Sequence, residues 1–90
     1  MKFEWDDYKE SINREKHGMG FGAIEDADWG AAVTRPDTRR DYGEVRILAY
    51  VPIHHRLHVA VYTMRHHVRR IISLRKANAR ERDMYDQRQI

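Results

Sequence analysis

Three stretches in the second half of the chain alternate between apolar and other positions, which is the pattern of β-strands with one face against a core. The faces that we expect to pack against helices are Val45, Ile47, Ala49 and Val51; Leu57, Val59, Val61 and Thr63; and Val68, Arg70, Ile72 and Leu74. The opposite, open faces would carry Arg46, Leu48 and Tyr50; His58, Ala60 and Tyr62; and Arg69, Ile71, Ser73 and Arg75. The pattern predicts an open sheet surface that is cationic and aromatic.

The N-terminal segment predicts a short strand over residues 2–5 and then a helix. Asp6 or Asp7 is expected to begin the helix, because a short carboxylate accepts the free backbone N–H groups of the first turn. The helix would end near Lys16, since Gly18 supplies a left-handed stop. We expect the inner face of this helix to carry Tyr8 and Ile12, and its surface to carry Lys9, Asn13 and Lys16.

The remaining elements complete one small domain over residues 1–90. A shorter helix is expected over residues 21–27, with Trp29 packing on the sheet, and a strand over residues 31–34. The polar residues 35–41 predict a loop. Asn78 with Glu81 three residues later predicts a capping box that begins a last helix, anchored by Met84 and Tyr85. The order β-α-α-β-β-β-β-α predicts an α+β fold with an antiparallel sheet.

The composition narrows the class of protein. No apolar run approaches the roughly 20 residues of a membrane span, and the charged N-terminus lacks a signal-peptide pattern. The chain has no cysteine, which excludes thiol nucleophiles and thiolate metal sites, and a disulfide-stabilised secreted domain is not expected. We therefore expect a cytoplasmic protein without a membrane partner.

The charge is distributed unevenly along the chain. Residues 1–45 hold 7 Lys and Arg against 11 Asp and Glu, whereas residues 46–90 hold 10 against 3. A basic half built mainly from arginine suits a phosphate-rich partner, because guanidinium groups bind phosphate bidentately. The acidic half could equally neutralise the basic half within the fold. Both interpretations remain open on composition alone.

The six histidines do not predict a metal site. His54 and His55, like His66 and His67, are adjacent residues at expected turns, and neighbours on a strand point to opposite faces. The chain also lacks an HExxH motif. We therefore expect no metal and no other cofactor.

Short motifs along nearly the whole chain carry a family resemblance. They are Phe3-Glu4-Trp5-Asp6, Asn13, Lys16-His17-Gly18, Tyr62-Thr63-Met64-Arg65, Arg70-Ile71-Ile72-Ser73-Leu74-Arg75 and Glu81-Arg82. In this order and spacing the chain resembles the BrnT family of bacterial type II toxins, small ribonucleases neutralised by a protein antitoxin. The resemblance implies a RelE-like fold and a metal-independent endoribonuclease that inhibits translation and growth. It also implies a BrnA-like antitoxin with a ribbon-helix-helix-like, DNA-binding part, which would form a hetero-oligomer with the toxin.

Metal-free RNA cleavage requires a base for the 2′-hydroxyl, a cation for the transition-state charge and an acid for the leaving oxygen. Arg75 and Arg65 match the arginines of the family motifs and are the candidate cations. His17, Tyr62 and His58 are candidates for proton transfer. The expected RNA-binding residues are Arg46, Arg69, Arg80 and Arg82.

Each candidate also has an ordinary structural role. The two catalytic arginines could form internal ion pairs, His17 could cap the first helix, and Tyr62 could simply pack in a strand. At the level of the whole protein, the alternative to an enzyme is a non-catalytic module that binds RNA or an acidic partner with the same arginines.

Overall fold

The computed structural model describes all 90 residues and has the expected α+β class. Its elements are β1 (Phe3–Trp5), α1 (Asp7–His17), two 3₁₀ helices (Phe21–Asp26 and Trp29–Ala31), β2 (Val33–Pro36), β3 (Ile47–Ile53), β4 (Arg56–Arg65), β5 (Val68–Lys76) and α2 (Ala79–Asp86). The predicted second helix is therefore 3₁₀ rather than α, and β2 begins two residues later than expected. No helix is long and apolar enough to cross a membrane.

The ends of both α-helices follow the local signals in the sequence. The Asp6 carboxylate accepts hydrogen bonds from the backbone N–H groups of Tyr8 and Lys9, at 2.8 and 3.3 Å. Gly18 ends α1 with φ of 72°, in the left-handed region that glycine adopts without a Cβ clash. At the start of α2, Asn78 and Glu81 form the predicted capping box. These three predictions are confirmed.

The sheet has five strands in the order β1-β5-β4-β3-β2. All neighbouring strands are antiparallel except β1, which pairs in parallel with β5. The predicted antiparallel sheet is thus wrong at this edge, and the sheet is mixed. In the chain, α1 and the 3₁₀ segments connect β1 at one edge of the sheet to β2 at the other edge. Three antiparallel connections then bring β5 beside β1, and β5 runs in the same direction as β1.

Cross-strand pairing shows which side chains share a face, and it reverses the prediction for β4. Ala49 lies opposite Ala60, and Leu48 lies opposite Val61. Ala60 therefore shares the face of Ala49, whereas Val61 belongs to the other face. Alternation fixes a period of two but not its phase, and β4 is buried on both faces from Leu57 to Thr63.

A β-bulge in β5 changes the face of its C-terminal half. Val61 pairs with Ser73, but the next residue, Tyr62, pairs with Ile71. Ile72 is the extra residue, and it lies with Ser73 on the side of Val61. The bulge thus interrupts strict alternation: Ile71 and Leu74 both lie on the face of Ala60 and Tyr62, against the predicted opposition of these two residues.

Each face of the sheet has its own apolar core. The face covered by the 3₁₀ helices buries Phe21, Ile24, Ala49, Val51, Ile53, Ala60, Tyr62, Ile71 and Leu74, while α1 lies along the edge of β5. The opposite face buries Leu48, Tyr50, Leu57, Val59, Val61 and Ala77, with Tyr85 of α2 packed against them. The α2 helix therefore covers part of the face that was expected to be open, as the predicted anchoring role of Tyr85 requires.

Asn13 is the one buried residue of α1, which corrects its predicted surface position. Its side chain exchanges two hydrogen bonds with the backbone of Leu74: Nδ2 donates to the carbonyl at 2.8 Å, and Oδ1 accepts from the N–H at 3.1 Å. β1 pairs only as far as Ile71, so the amide occupies the free edge of β5 beyond it. Tyr8 and Ile12, predicted to lie inside, are exposed instead.

Candidate active site

The face of the sheet beneath α2 carries several arginines that could contact a phosphate. We call it the arginine face, and it holds Arg46, Arg65, Arg70 and Arg75, together with Arg39 from the loop before β3. The bulge in β5 determines this arrangement, because it places Ser73 and Arg75 on the same side as Arg70. Without the bulge, strict alternation would put Arg70 and Arg75 on opposite faces.

A cavity of about 140 Å³ opens on this face, and we call it the arginine cavity. Its lining residues are Asp37, Arg39, Arg46, Leu48, Val59, Val61, Ile72, Ser73 and Arg75. The floor is apolar, and beside the Asp37 carboxylate the polar rim brings together hydrogen-bond donors from three guanidinium groups and a serine hydroxyl. Such a set of donors is suited to an oxyanion with several oxygens, such as a phosphodiester.

Arg75 is held in place by Glu81 of α2. Two guanidinium nitrogens of Arg75 donate to the two carboxylate oxygens, each at 2.8 Å. This bidentate contact lowers the pKa of Glu81 and raises that of Arg75. One of the same carboxylate oxygens also accepts the Asn78 N–H at 2.9 Å. Glu81 therefore ties the start of α2 to a permanently charged Arg75.

Arg39 has a similar anchor in Asp37. The Arg39 side chain donates twice to this carboxylate, at 2.8 Å for each bond, and the Tyr42 hydroxyl donates at 3.1 Å. The hydrogen bonds from Arg39 hold the pKa of Asp37 well below its usual range. The Asp37 side chain is almost fully buried, and its backbone N–H donates to the Arg46 carbonyl at 2.8 Å. The loop is thus internally fixed.

Arg46 completes the rim from the first residue before β3. Its guanidinium lies over the ring of Tyr42, 4.1 Å from the centroid, and contacts Glu44 at 3.3 Å. Stacking and ion pairing together restrict a long side chain that would otherwise be mobile. Much of the positive rim of the cavity is therefore preorganised.

His17 lies beside the cavity, in a second hollow of about 240 Å³. We call this the lysine hollow, and its lining residues are Lys9, Ile12, Asn13, Lys16, His17, Ile72 and Ser73. Partial burial lowers the pKa of His17, and the positive charges of Lys16 and Arg75 lower it further. The imidazole is therefore mainly neutral at pH 7 and able to accept a proton.

Comparison with protein families matches residues 5–81 to the model described as ribonuclease toxin, BrnT, of type II toxin-antitoxin system. The chain belongs to the BrnT family. The match includes every residue that lines the arginine cavity and the lysine hollow, and it ends at Glu81, the partner of Arg75. A comparison with curated proteins finds no matching relative. The family resemblance predicted from the motifs is confirmed, and the family is one of ribonuclease toxins with antitoxin partners.

Three predicted site residues of this BrnT-family chain lie on the wrong face to join Arg75. His58, Tyr62 and Arg69 all lie on the face covered by the 3₁₀ helices, because the phase of β4 is reversed and the bulge lies beyond Arg69. Tyr62 packs edge-on against Trp29. The Arg69 guanidinium lies 5.0 Å from the centroid of the Trp29 ring and 5.4 Å from that of the Tyr62 ring. The prediction that these residues share an open face with Arg75 is wrong.

His58 is also enclosed on that face. It is buried, and its Nδ1 lies 2.7 Å from the carbonyl oxygen of Arg56, which the ring N–H can donate to. Burial lowers the pKa of His58. These contacts account for the residue structurally, as part of the strand and its core.

Arg65 lies on the arginine face but outside the cavity. It is six residues along β4 from Val59, the partner of Arg75, which corresponds to about 20 Å at about 3.3 Å per residue. Arg65 contacts Glu44 at 3.5 Å, and Arg70 contacts Glu4 at 2.9 Å. These two pairs join the acidic and basic halves, so the predicted self-neutralisation does occur in part.

The two candidates on α2 are also separate from the cavity. Arg80 is exposed, and Arg82 donates to the Ala77 carbonyl at 3.3 Å while lining a different hollow with Tyr85. The structure thus brings together three of the predicted residues, Arg75, His17 and Arg46.

Sequence reasoning missed Arg39, Asp37 and the role of Glu81 as the partner of Arg75. The sequence indicates Glu81 as a helix cap and as part of a family motif, but not as the partner of Arg75, and it indicates the loop that carries Arg39 only as polar. A carboxylate two residues before an arginine is a weak signal, because such pairs are common in exposed turns. Their importance depends on how the loop folds over the sheet, which no local pattern specifies.

Proposed function

We propose that this BrnT-family chain is a metal-independent endoribonuclease toxin with a RelE-like fold that cleaves RNA in the arginine cavity. The observation that carries the proposal is the cluster of three guanidinium groups, with Arg75 fixed by Glu81, beside a histidine that is neutral at pH 7. A pentacoordinate phosphorane carries more charge on its equatorial oxygens than the ground-state diester does. Fixed guanidinium groups therefore bind it more tightly.

The proposed reaction is an internal transfer at phosphorus. The 2′-oxygen forms a bond to phosphorus while the bond from phosphorus to the 5′-oxygen breaks, which gives a 2′,3′-cyclic phosphate and a 5′-hydroxyl. His17 accepts the proton of the 2′-hydroxyl, and Arg75, Arg46 and Arg39 neutralise the charge on the phosphoryl oxygens. A proton from water or from protonated His17 balances the leaving oxygen.

Positioning of the cations also contributes to this mechanism. The apolar floor of Leu48, Val59 and Val61 lowers the local dielectric beneath the guanidinium groups, so that each interacts more strongly with phosphate than it would in bulk water. Internal carboxylates hold the cations before the substrate arrives, which reduces the entropy lost on binding.

The biological role follows from the family. Cleavage of cellular RNA would inhibit translation and arrest growth, and a cognate BrnA-like antitoxin, ribbon-helix-helix-like and DNA-binding, would bind the toxin in a hetero-oligomer. The arginine cavity is a suitable target for such inhibition, because an acidic or apolar segment placed over it would exclude RNA.

Arg75→Ala and Arg75→Lys test the proposal, with Arg80→Ala as a control that removes an exposed arginine outside the cavity. Because one fixed transition-state donor contributes about 10²–10³-fold in rate, we expect Arg75→Ala to reduce RNA cleavage by at least about a hundredfold. Arg75→Lys should restore little, since lysine cannot make the bidentate contact.

Circular dichroism would confirm that each variant is folded. Induced expression should arrest growth for the wild type and Arg80→Ala but not for Arg75→Ala at equal accumulation. Cleavage by folded Arg75→Ala at the rate of the wild type would contradict the proposal. If the wild type binds RNA without cleaving it, the non-catalytic module is favoured instead.

A further inference from the structure

The lysine hollow continues directly from the arginine cavity. Ile72 and Ser73 line both spaces, so a chain that lies in one can enter the other across the bulge of β5. The far wall is α1, where Lys9, Ile12 and Lys16 follow each other at spacings of three and four residues and therefore share one side of the helix. The hollow is thus a groove between a helix and a strand edge.

This wall is fixed rather than mobile. Asn13, one residue beyond Ile12, is buried and bonds to the backbone of Leu74, and its Nδ2 also donates to the Met19 carbonyl at 3.1 Å. These hydrogen bonds hold α1 against β5 at the position where the two lysines flank the groove. The distance from the lysines to the cavity is therefore set by the fold.

The charges of the groove differ from those of the arginine face. Arg39, Arg46, Arg65, Arg70 and Arg75 each contact a carboxylate within the chain. Lys9 and Lys16 are exposed and form no ion pair. Two uncompensated ammonium groups on either side of the half-exposed Ile12 are complementary to a phosphate backbone with an apolar sugar or base between phosphates.

We infer that the lysine hollow is a nucleotide-binding subsite, in which Lys9 and Lys16 bind backbone phosphate of single-stranded RNA on the 5′ side of the cleaved bond. The direction of the RNA strand in this inference, with its 5′ side in the hollow, rests on the proposed function. A base that removes the 2′-hydroxyl proton must lie beside the nucleotide 5′ to the reacting phosphate, and His17 lines this hollow. A single strand fits because its backbone can bend from one groove into the other and its bases are unpaired.

The first test is the salt dependence of binding, measured by fluorescence anisotropy with a labelled 12-nucleotide 2′-fluoro RNA that cannot be cleaved. Each phosphate contact contributes about 0.7 to the slope of log Kobs against log salt for a single strand. Lys9→Gln/Lys16→Gln should therefore reduce the slope by about 0.7 to 1.4. The control is Lys2→Gln/Lys76→Gln, which removes the same charge from two other exposed positions without ion pairs.

The second test uses the RNA site that the wild type cuts. Because Lys16 lowers the pKa of His17, the comparison is made at pH 8, where the imidazole is neutral in both proteins. In Lys9→Gln/Lys16→Gln we then expect KM to rise about tenfold while kcat stays within about twofold, because uniform binding is lost and the reacting groups remain. A neutral methylphosphonate at the phosphate next to the cut on the 5′ side should slow the wild type but not slow this variant further. The same substitution on the 3′ side should slow both proteins equally.

The results separate the two proposals. An unchanged salt slope, or an equal change in the Lys2/Lys76 control, would overturn the subsite, as would sensitivity of the variant to the 5′ methylphosphonate equal to that of the wild type. If the wild type binds RNA with the expected lysine-dependent slope but cuts none, phosphate binding by the hollow stands, and the nuclease proposal and the assigned 5′ polarity fall. If the wild type does not bind RNA, both fail.

Discussion

Asn13→Asp is a sharp test of how α1 is held against the sheet. The asparagine amide donates two hydrogen bonds, to the Leu74 and Met19 carbonyls, and accepts one from the Leu74 N–H. Aspartate has nearly the same shape and keeps the acceptor. The substitution replaces the donor nitrogen with an oxygen, which then faces two carbonyl oxygens at a position that is only 5% exposed.

The expected loss is large for so small a change. Two hydrogen bonds of about 1 kcal/mol each are lost, and the poorly solvated carboxylate and the unpaired carbonyls add further cost. We therefore expect Asn13→Asp to lower the free energy of unfolding by at least about 3 kcal/mol at pH 7. A 90-residue domain has a total of about 5–13 kcal/mol, so the variant would be near the limit of stability.

The loss of stability in Asn13→Asp should depend on pH in a direction that identifies a buried carboxyl group. Burial and two opposing carbonyls raise the pKa of the introduced carboxyl, and its protonated form can donate to one carbonyl. A group with a raised folded-state pKa contributes stability below its unfolded pKa, near 3.9, and loses it as the pH rises through the folded value. The deficit relative to the wild type should therefore be smaller at pH 5 than at pH 7.

Urea unfolding followed by tryptophan fluorescence measures this difference, with wild type and variants compared at each pH. Asn13→Ala is the control, because it also removes the hydrogen bonds but introduces no titratable group, and its deficit should change little with pH. A loss below about 1 kcal/mol for Asn13→Asp at pH 7, or the same loss at both pH values, would show that these hydrogen bonds do not hold α1 against the sheet.

Two further predictions concern the proposed catalytic groups. Glu81→Gln should lower kcat at least about tenfold, because Arg75 loses its bidentate charged partner. The free energy of unfolding should fall by only about 1 kcal/mol. A kcat equal to that of the wild type in the folded variant would show that Glu81 does not position Arg75. For His17 as base, kcat/KM should fall as the pH drops through an inflection below 6.5, since the pKa of His17 is lowered. His17→Gln should lack this limb, and an unchanged limb would assign it to another group.

The parts of the fold that the sequence predicts well are those set by local contacts. Asp6, Gly18 and the Asn78–Glu81 box act within a few residues, so their spacing alone determines the helix ends. Strand positions were also predicted to within a few residues, because long runs of alternating residues are visible without knowledge of their partners.

The parts that the sequence does not predict depend on contacts between distant segments. β4 is buried on both faces, so only its pairing with β3 decides which face each of its side chains occupies. The alternation alone therefore predicted the wrong face for Tyr62 and His58. The bulge at Ile72 is likewise a property of pairing with β4. Asn13 and Arg39 became important through the free edge of β5 and the fold of the loop, neither of which has a local signature.

The chemical identity of the RNA ends shows whether the arginine cavity cleaves RNA by metal-independent internal transfer. Purified wild type would be incubated in EDTA with RNA labelled at its 5′ end, beside folded Arg75→Ala, and the product ends determined by mass spectrometry. We expect 2′,3′-cyclic phosphate and 5′-hydroxyl ends that appear with the wild type and not with Arg75→Ala. Ends with a 3′-hydroxyl, cleavage that requires an added divalent cation, or equal cleavage by Arg75→Ala would contradict the proposed mechanism.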